Sequence, residues 1–271
     1  MSGAGKRVSI LLLLLGIGFL LPALLAPWLA PMDPMTMELD GALAPPSLAH
    51  PLGQDEQGGD ILSRLLFGAR ISLLVGVSTV LASGVLGITV GLVAGFLGGW
   101  VEQAMMRLVD VLLAFPGLLL AIALVAVLGP GLSNVVLALA ALGWVGFARL
   151  VRGQVISVKG RDFLVAAQAL GAGDIRMMVR HILPNIMAPV TVQASFAVAG
   201  AILSEASLSF LGLGVPPGTP SWGAMLSEGR HVLWEAPHVS IFPGLAIMAI
   251  VLGFNLLGDA LNDWLDPKRR D

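Results

Sequence analysis

Side chains able to do chemistry are few in this sequence and lie far apart. The four histidines, His50, His181, His231 and His238, show no HExxH or other paired spacing, and there is no GxSxG elbow to present a nucleophile. Cysteine is absent, which excludes disulfide scaffolds, thiolate metal sites and thiol nucleophiles. ATP hydrolysis needs Gly-x4-Gly-Lys-Ser/Thr to cradle phosphates. The only Gly-Lys pair, Gly5-Lys6, is followed by Arg7 and lacks the upstream glycine, so no ATPase site is expected here. His231 and His238 share a polar stretch with Glu228 and Glu235, but neither spacing nor companions match a metal site. No metal is assigned, and His181 is expected to cap or pack. Two features stand apart. Asp174, Arg176, Arg180 and His181 are gathered in VAAQALGAGDIRMMVRHILPN, Val165 to Asn185, and Glu205 sits alone in an apolar run.

The elements that must position these groups follow from composition. Of 271 residues, 56% are hydrophobic and 12% charged, against roughly 25% charged in a soluble domain. Most apolar surface must therefore face lipid or other membrane helices, and a net charge of −2 leaves no footprint for nucleic acid. A bilayer core takes about 20 apolar residues in helix. Six runs qualify: Val8–Ala30, Ile71–Leu97, Val111–Gly129, Leu132–Val151, Ile186–Leu211 and Val239–Leu261. The third and fourth are joined only by GPGLSN, Gly129 to Asn134, which predicts a tight helical hairpin. The expected class is an all-α polytopic membrane protein, since lipid offers no partner to an unpaired backbone group. Lys6 and Arg7 ahead of an apolar run also resemble a signal peptide, but the run exceeds an h-region and Pro27 and Pro31 spoil a cleavage site, so an uncleaved anchor is expected.

With both termini in the cytoplasm, Lys6, Arg7, Arg107, Arg149, Arg152, Lys159, Arg161, Arg176, Arg180, Lys268, Arg269 and Arg270 fall inside, and only Arg64, Arg70 and Arg230 outside. The positive-inside rule selects that orientation. The predicted organisation is a tail and first span over 1–30, an external segment over 31–70, and a transmembrane core over 71–271. Within that core lie a cytoplasmic loop at 153–185 and an external loop at 212–238.

Within Val165–Asn185, Phe163, Ala166, Ala167 and Leu170 fall on one helical face, and Ile175, Met178, Val179 and Ile182 repeat the spacing. Gly171-Ala172-Gly173 suits a C′ position with positive φ, Asp174 falls in the first turn of the second helix, and Pro184 is expected to close the pattern. This helix–turn–helix bracket is too short and polar to cross a bilayer. Periodicity leaves two readings open, an interfacial helix in the headgroups or a docking helix for a cytoplasmic partner.

The pattern AA-x3-G-x11-LP, here Ala166, Ala167, Gly171, Leu183 and Pro184, resembles the EAA loop of ABC importer permeases. Similar too are His50-Pro51-Leu52-Gly53-Gln54-Asp55, Gly59-Asp60-Ile61-Leu62-Ser63-Arg64, Gly68-Ala69-Arg70, Arg107-Leu108-Val109-Asp110 with Phe115-Pro116, Arg149-Leu150-Val151-Arg152, Glu205 to Gly212, and Pro220-Ser221-Trp222-Gly223. Together they resemble the second permease subunit of the dipeptide/oligopeptide/nickel importers over about residues 8 to 268. The resemblance implies a type I ABC importer permease fold of six transmembrane helices with a cytoplasmic coupling helix in the bacterial inner membrane. It implies a sister permease, two ABC ATPase subunits that bind ATP and Mg, and a periplasmic or lipid-anchored substrate-binding protein. This chain itself would bind no cofactor. The coupling residues it implies are Ala166, Ala167, Gly171, Asp174, Ile175, Met178, Val179, Arg180, Ile182 and Pro184. One departure is Val165, where the family has Glu; nearby Asp162 is a candidate to compensate.

Glu205 in mid-run marks a bundle interior or aqueous path. Translocation, pairing with a cation of the partner permease, and a shallow external position stand open, with a structural or gating role favoured. Gln193, Ser195, Ser204 and Ser207 are expected to wet one face of the fifth span. Gly87, Gly91, Gly95 and Gly99 recur every fourth residue and predict close helix contact, within the chain or between subunits. Trp222 and Trp234 suit a membrane interface. Di- or oligopeptide is the expected cargo, then nickel or another small solute. The rival class, an ion-coupled secondary transporter, would show paired broken spans and intramembrane ion ligands.

Overall fold

The computed structural model describes residues 3–216 and 218–265; Lys268, Arg269 and Arg270 of the expected interior basic set lie outside the described residues. The chain folds into helices because each apolar run satisfies its own backbone hydrogen bonds. Helix α1 (Gly3–Leu15) continues through a π turn, Gly16–Leu20, into α2 (Leu21–Leu24) and, beyond Leu25, α3 (Ala26–Leu29). Pro22 lies inside the continuous helix Gly5–Leu24 just after the π turn, and Pro27 stands in the first turn of α3, where the missing N–H sacrifices little. A segment held by turns follows, and then α4 (Ile61–Leu97) begins with the Asp60 carboxylate accepting from Ser63 N–H at 2.8 Å.

Helix α4 runs 37 residues, about 55 Å at 1.5 Å per residue. The expected start of this span at Ile71 is therefore corrected: the helix begins at Ile61, and the division at residue 70 falls inside it. Arg64 sits in its first turns without breaking it because carboxylates meet the guanidinium there.

The third expected span, Val111–Gly129, is not one helix. Helix α5 (Gly99–Leu113) and α6 (Gly117–Leu128) meet at 86°. Pro116 lacks an N–H and drives Phe115 out of the helical region, which breaks the run there. Alone, α6 is about 18 Å long, short of the roughly 30 Å hydrocarbon core. Among the described residues, five helical stretches are individually long and apolar enough to cross a membrane, and the bent pair, taken as one span, makes a sixth. Helices α6 and α7 (Leu132–Lys159) form the predicted hairpin, with Asn134 Nδ2 donating to the carbonyls of Leu128 and Gly129 at 2.9 and 3.0 Å.

Next come α8 (Asp162–Ala169), α9 (Asp174–Arg176), a π stretch Met177–Ile182, α10 (Leu183–Phe210), α11 (Trp222–Gly229) and α12 (His238–Leu265). Pro184 does not close the bracket helix as expected. From Asp174 to Phe210 the chain is continuously helical. The π turn, with Leu183 N–H bonded to Met178 O, widens the coil just before the proline, where an α turn would set its ring against a carbonyl. The ends of α1 and α12, the bracket, and the ends of α4 and α7 cluster at one end of the bundle. Residues 31–60 and α11 cover the other.

The spine is α4 against α7. A Cβ on Gly91 would stand 2.6 Å from Ala148 O, and one on Gly95 2.8 Å from Val155 Cβ; Gly87 meets Trp144 and Phe147 as closely. The glycine run thus faces a helix of the same chain. Gly99 is not part of it: it follows Gly98 at a turn with both φ positive, at the start of α5, with open space around it. Ion pairs then strap α5 along α7, Arg149 Nη2 to Asp110 Oδ1 at 2.6 Å and Arg152 Nε to Glu102 Oε1 at 2.7 Å. Replacing Gly91 with Val is expected to cost about 1–3 kcal/mol through overpacking, read as a lower midpoint of thermal unfolding in detergent; Gly153→Ala, at a position where a Cβ meets open space and φ is not positive, is expected to leave the midpoint unchanged.

Candidate functional site

At the bracket, α8 ends in a Schellman motif. Gly171, φ +82°, donates to Gln168 O at 2.9 Å and Ala172 donates to Ala167 O at 3.1 Å. The left-handed residue turns the chain sharply, and Gly173 then leads into α9 with Asp174 in its first turn, where a carboxylate favours the positive helix end.

The anchors of the bracket are residues the helical periodicity did not select. Leu164, Met177 and Ile182 are buried in the main core, and of these only Ile182 belonged to a predicted face. Ala167 and Ala172 pack partly against that core. The remaining predicted residues point away from it. Leu170 is 89%, Ile175 75% and Val179 57% exposed, with Phe163 and Val165 open beside them. Ala166, Gly171, Asp174, Arg180 and Pro184 are also exposed, and Met178 is half-buried. The stripe read as amphipathic is thus split: one side staples the bracket to the bundle, and the other presents bare apolar side chains next to Arg161, Arg176 and Arg180. Val165 lies on that open side, 57% exposed, and Asp162, in the first turn of α8, is exposed as well.

The opposite end is organised by buried charge. Arg64 Nη1 pairs with Asp55, and its Nη2 with Glu228 Oε2 at 2.9 Å; Arg64 and Asp55 are almost wholly buried. Burial pushes the Glu228 carboxyl above the usual carboxylate range, against the pull of Arg64. His50 Nδ1 meets Asp60 Oδ1 at 3.1 Å, and the His238 ring lies 3.3 Å from Gln54 O. Residues 50–60 are therefore knotted to α4, α11 and α12. No three His, Asp or Glu side chains converge in a metal-holding group among the described residues.

Trp222 is not at an interface as expected. It is 1% exposed, and its Nε1 donates to Leu65 O at 2.9 Å; Trp234, by contrast, is 96% exposed. Ser221 caps α11 through Ala224 N–H, and Gly223 lets the α11 backbone lie on that of Ala206. Beneath them Glu205 is fully buried. Ser209 Oγ donates to its Oε1 at 2.7 Å and Ser72 Oγ to its Oε2 at 3.2 Å, and no basic side chain pairs with it among the described residues. Glu205 also meets the hydroxyl of Ser221, the cap of α11, and thus joins α4, α10 and α11.

The other polar residues of α10 do not share one face. Ser195 donates to Phe254 O of α12 at 2.7 Å, and Ser207 donates back to Leu203 O. Gln193 and Ser204 fall with Ala197 and Gly200 on one stripe, with Ser207 at its edge, whereas Ser195 faces the other way. Ala197, Gly200 and Ser204 from that stripe line a cavity of about 290 Å³ between α4, the start of α6, α7 and α10, together with Thr79, Ser83, Gly117 and Gly143. The sequence signal for this wall was available as small residues at 197, 200, 204 and 143, but nothing in periodicity joined them to the break at Pro116.

Residues 87–271 match the family described as binding-protein-dependent transport system inner membrane component. Over 255 residues the chain is 48% identical to the di/tripeptide transport system permease protein DppC of Pseudomonas aeruginosa (strain UCBPP-PA14), spanning 92% of this chain and 84% of that protein. It is 51% identical over 223 residues to the glutathione transport system permease protein GsiD of Pectobacterium atrosepticum, 82% of this chain and 74% of that one. It is 44% identical over 265 residues to the dipeptide transport system permease protein DppC of Alkalihalophilus pseudofirmus, 98% of this chain and 87% of that one.

Shortening a buried anchor should loosen the bracket. Leu164→Ala is expected to cost about 2–5 kcal/mol and to speed amide exchange across residues 162–172, whereas Leu170→Ala, at a largely exposed site, leaves exchange unchanged. Gly171→Val adds about 1–2 kcal/mol of left-handed strain and is expected to show in the same measurement.

Proposed function

Because the chain belongs to the family of binding-protein-dependent transport system inner membrane components, we propose that it forms half of the pore of an ATP-driven importer of short peptides. The other half is a homologous permease. The chain is a multi-pass inner membrane protein, and both termini and the bracket face the cytoplasm, an orientation supported by twelve Lys and Arg on that side against three on the other. Two ATPase subunits dock there, hold ATP and Mg, and supply the energy. A periplasmic or lipid-anchored binding protein delivers cargo at the end covered by residues 31–60 and α11. The relatives' names support the cargo: di/tripeptide, dipeptide and glutathione systems all carry short peptides.

One observation carries the coupling role. Phe163, Val165, Leu170, Ile175 and Val179 form an uncovered apolar surface around a rigid Gly171 turn that is itself stapled to the bundle. A surface of this kind, rimmed by Arg161, Arg176 and Arg180, suits a groove on another protein. Ala166, Ala167 and Pro184 shape it, and Asp174 and Arg180 supply charge at its edge. Without the family's Glu at position 165, grip on the ATPase rests on shape and apolar contact. Closure of the ATPases pulls the bracket, and because α9 runs unbroken into α10, the pull reaches the pore wall. Each nucleotide state then favours one of two packings of the same helices, a population shift.

Glu205 is proposed as the clamp that holds α11 to α4 and α10 during this change, a gating role without direct contact to cargo. Gln193, Ser204 and Ser207 are carried as lining candidates, the first two on the stripe that borders the central cavity.

Ile175→Asp is expected to leave folding intact, since the residue is exposed, yet to abolish capture of the ATPase subunits in a pull-down and ATP-dependent uptake in vesicles. Gly171→Pro or Gly171→Asp should cut uptake while membrane insertion persists; uptake at the wild-type rate in all three would sink the docking role. Glu205→Gln keeps an acceptor for the serine hydroxyls and is expected to hold uptake within about twofold, whereas Glu205→Leu, which strands both hydroxyls, should lower it about tenfold.

A further inference from the structure

The elbow between α5 and α6 lies at mid-height on the open side of the bundle, with Leu113, Phe115 and Leu119 exposed and Gly117 on the cavity wall. It borders Gly143, which is 11 residues from the outer end of α7, about 16 Å along the axis. That is roughly half of a hydrocarbon core. A backbone break at such depth must face protein or water, because lipid cannot satisfy it. Here the first amides of α6, those of Gly117, Leu118 and Leu119, have no hydrogen-bond partner among the described residues, and the preceding Pro116 provides no side-chain cap. They stand at the positive end of a 12-residue helix. Immediately before them, the last carbonyls of α5 present the negative end of another helix.

A second observation points to the same place. Thr79, which lines the cavity from α4, is 3% exposed, and its Oγ1 has no hydrogen-bond partner. A threonine in a helix ordinarily bonds back to a carbonyl one turn earlier. This hydroxyl instead stands buried and unmet at a wall with no ionisable side chain, beside Ser83, Ser204 and Gly117. Unpaired donors in a pocket without charge form a receptor for an anion that arrives and leaves, since a fixed counter-charge would hold it too tightly.

We propose that this elbow is a way-station in the pore that receives the C-terminal carboxylate of a passing short peptide on the α6 amides and the Thr79 hydroxyl. The inference rests on the peptide-importer reading and adds to it a specificity-determining site within the membrane. The paired helix ends suit a dipolar solute: amides for its carboxylate, α5 carbonyls for its ammonium group. The cavity volume, about 290 Å³, accommodates a dipeptide.

The test uses the complete complex in vesicles and compares uptake of one dipeptide as the free acid and as its C-terminal amide. Because the binding protein is the same in every preparation, its own preference cancels from the ratio between variants. Gly117→Pro removes one amide donor yet fits a first helical position, and the space where its Cβ would stand is open; Gly117→Ala keeps the donor and serves as control. The free-acid to amide ratio is expected to fall about tenfold in Gly117→Pro and in Thr79→Val, as for loss of one charge-assisted hydrogen bond, and to stay at the wild-type value in Gly117→Ala. An unchanged ratio, or equal loss of both substrates, overturns the site. Equal loss together with loss of the sister permease on purification identifies the groove as a contact between subunits. Wild-type vesicles that take up neither form overturn the peptide reading itself, before any variant is made.

Discussion

In a bilayer no hydrophobic force draws helices together, so contact depends on how closely their backbones can approach. The approach of α4 to α7 at Gly87, Gly91 and Gly95 is the arrangement on which the rest depends. It places Thr79 and Ser83 of α4 opposite Gly143 of α7, which opens the central cavity. It sets the height at which Arg149 and Arg152 can strap α5 to the bundle, and so fixes the elbow at Pro116. It also brings the ends of both helices to the core on which Leu164 and Ile182 anchor the bracket.

The two ends of the bundle are held by different physics. At the bracket the contacts are apolar and incomplete: anchors face inward and a bare surface faces outward. At the other end polar groups are buried and almost all matched, from the Asp55–Arg64–Glu228 chain to the hydroxyls on Glu205. Removing one partner from a buried charged set is costly, which makes that end stiff. One end is thus closed by matched polar contacts, and the other leaves apolar side chains uncovered.

Much of this was legible in the residues. Apolar runs of about 20 positions located the spans, Gly171 gave away the turn because few other residues adopt that conformation, and the every-fourth glycines announced a close contact. What escaped did so for identifiable reasons. Hydropathy cannot see that Pro116 splits an apolar run, because Phe115 and Gly117 are as lipid-compatible as their neighbours. Trp222 looks like an interfacial anchor by type, and only the opposite backbone at Leu65 explains its burial. Gly99 continued a numerical pattern past the point where the helix ends. Leu164 and Met177 were passed over because bracket faces chosen by spacing alone select the side that is apolar, and here the side turned to solvent is apolar as well.

The length of α4 has a mechanical consequence. A rod of about 55 Å crosses the membrane with several turns to spare. Swung about its middle by roughly 10°, its tips travel about 5 Å in opposite directions, the height of one helical turn. Its glycine-lined half is clasped to α7, and its Arg64 end is bolted to Asp55 and to Glu228 of α11. Such a member acts as a lever, so an adjustment of a few ångströms on one membrane face emerges inverted on the other.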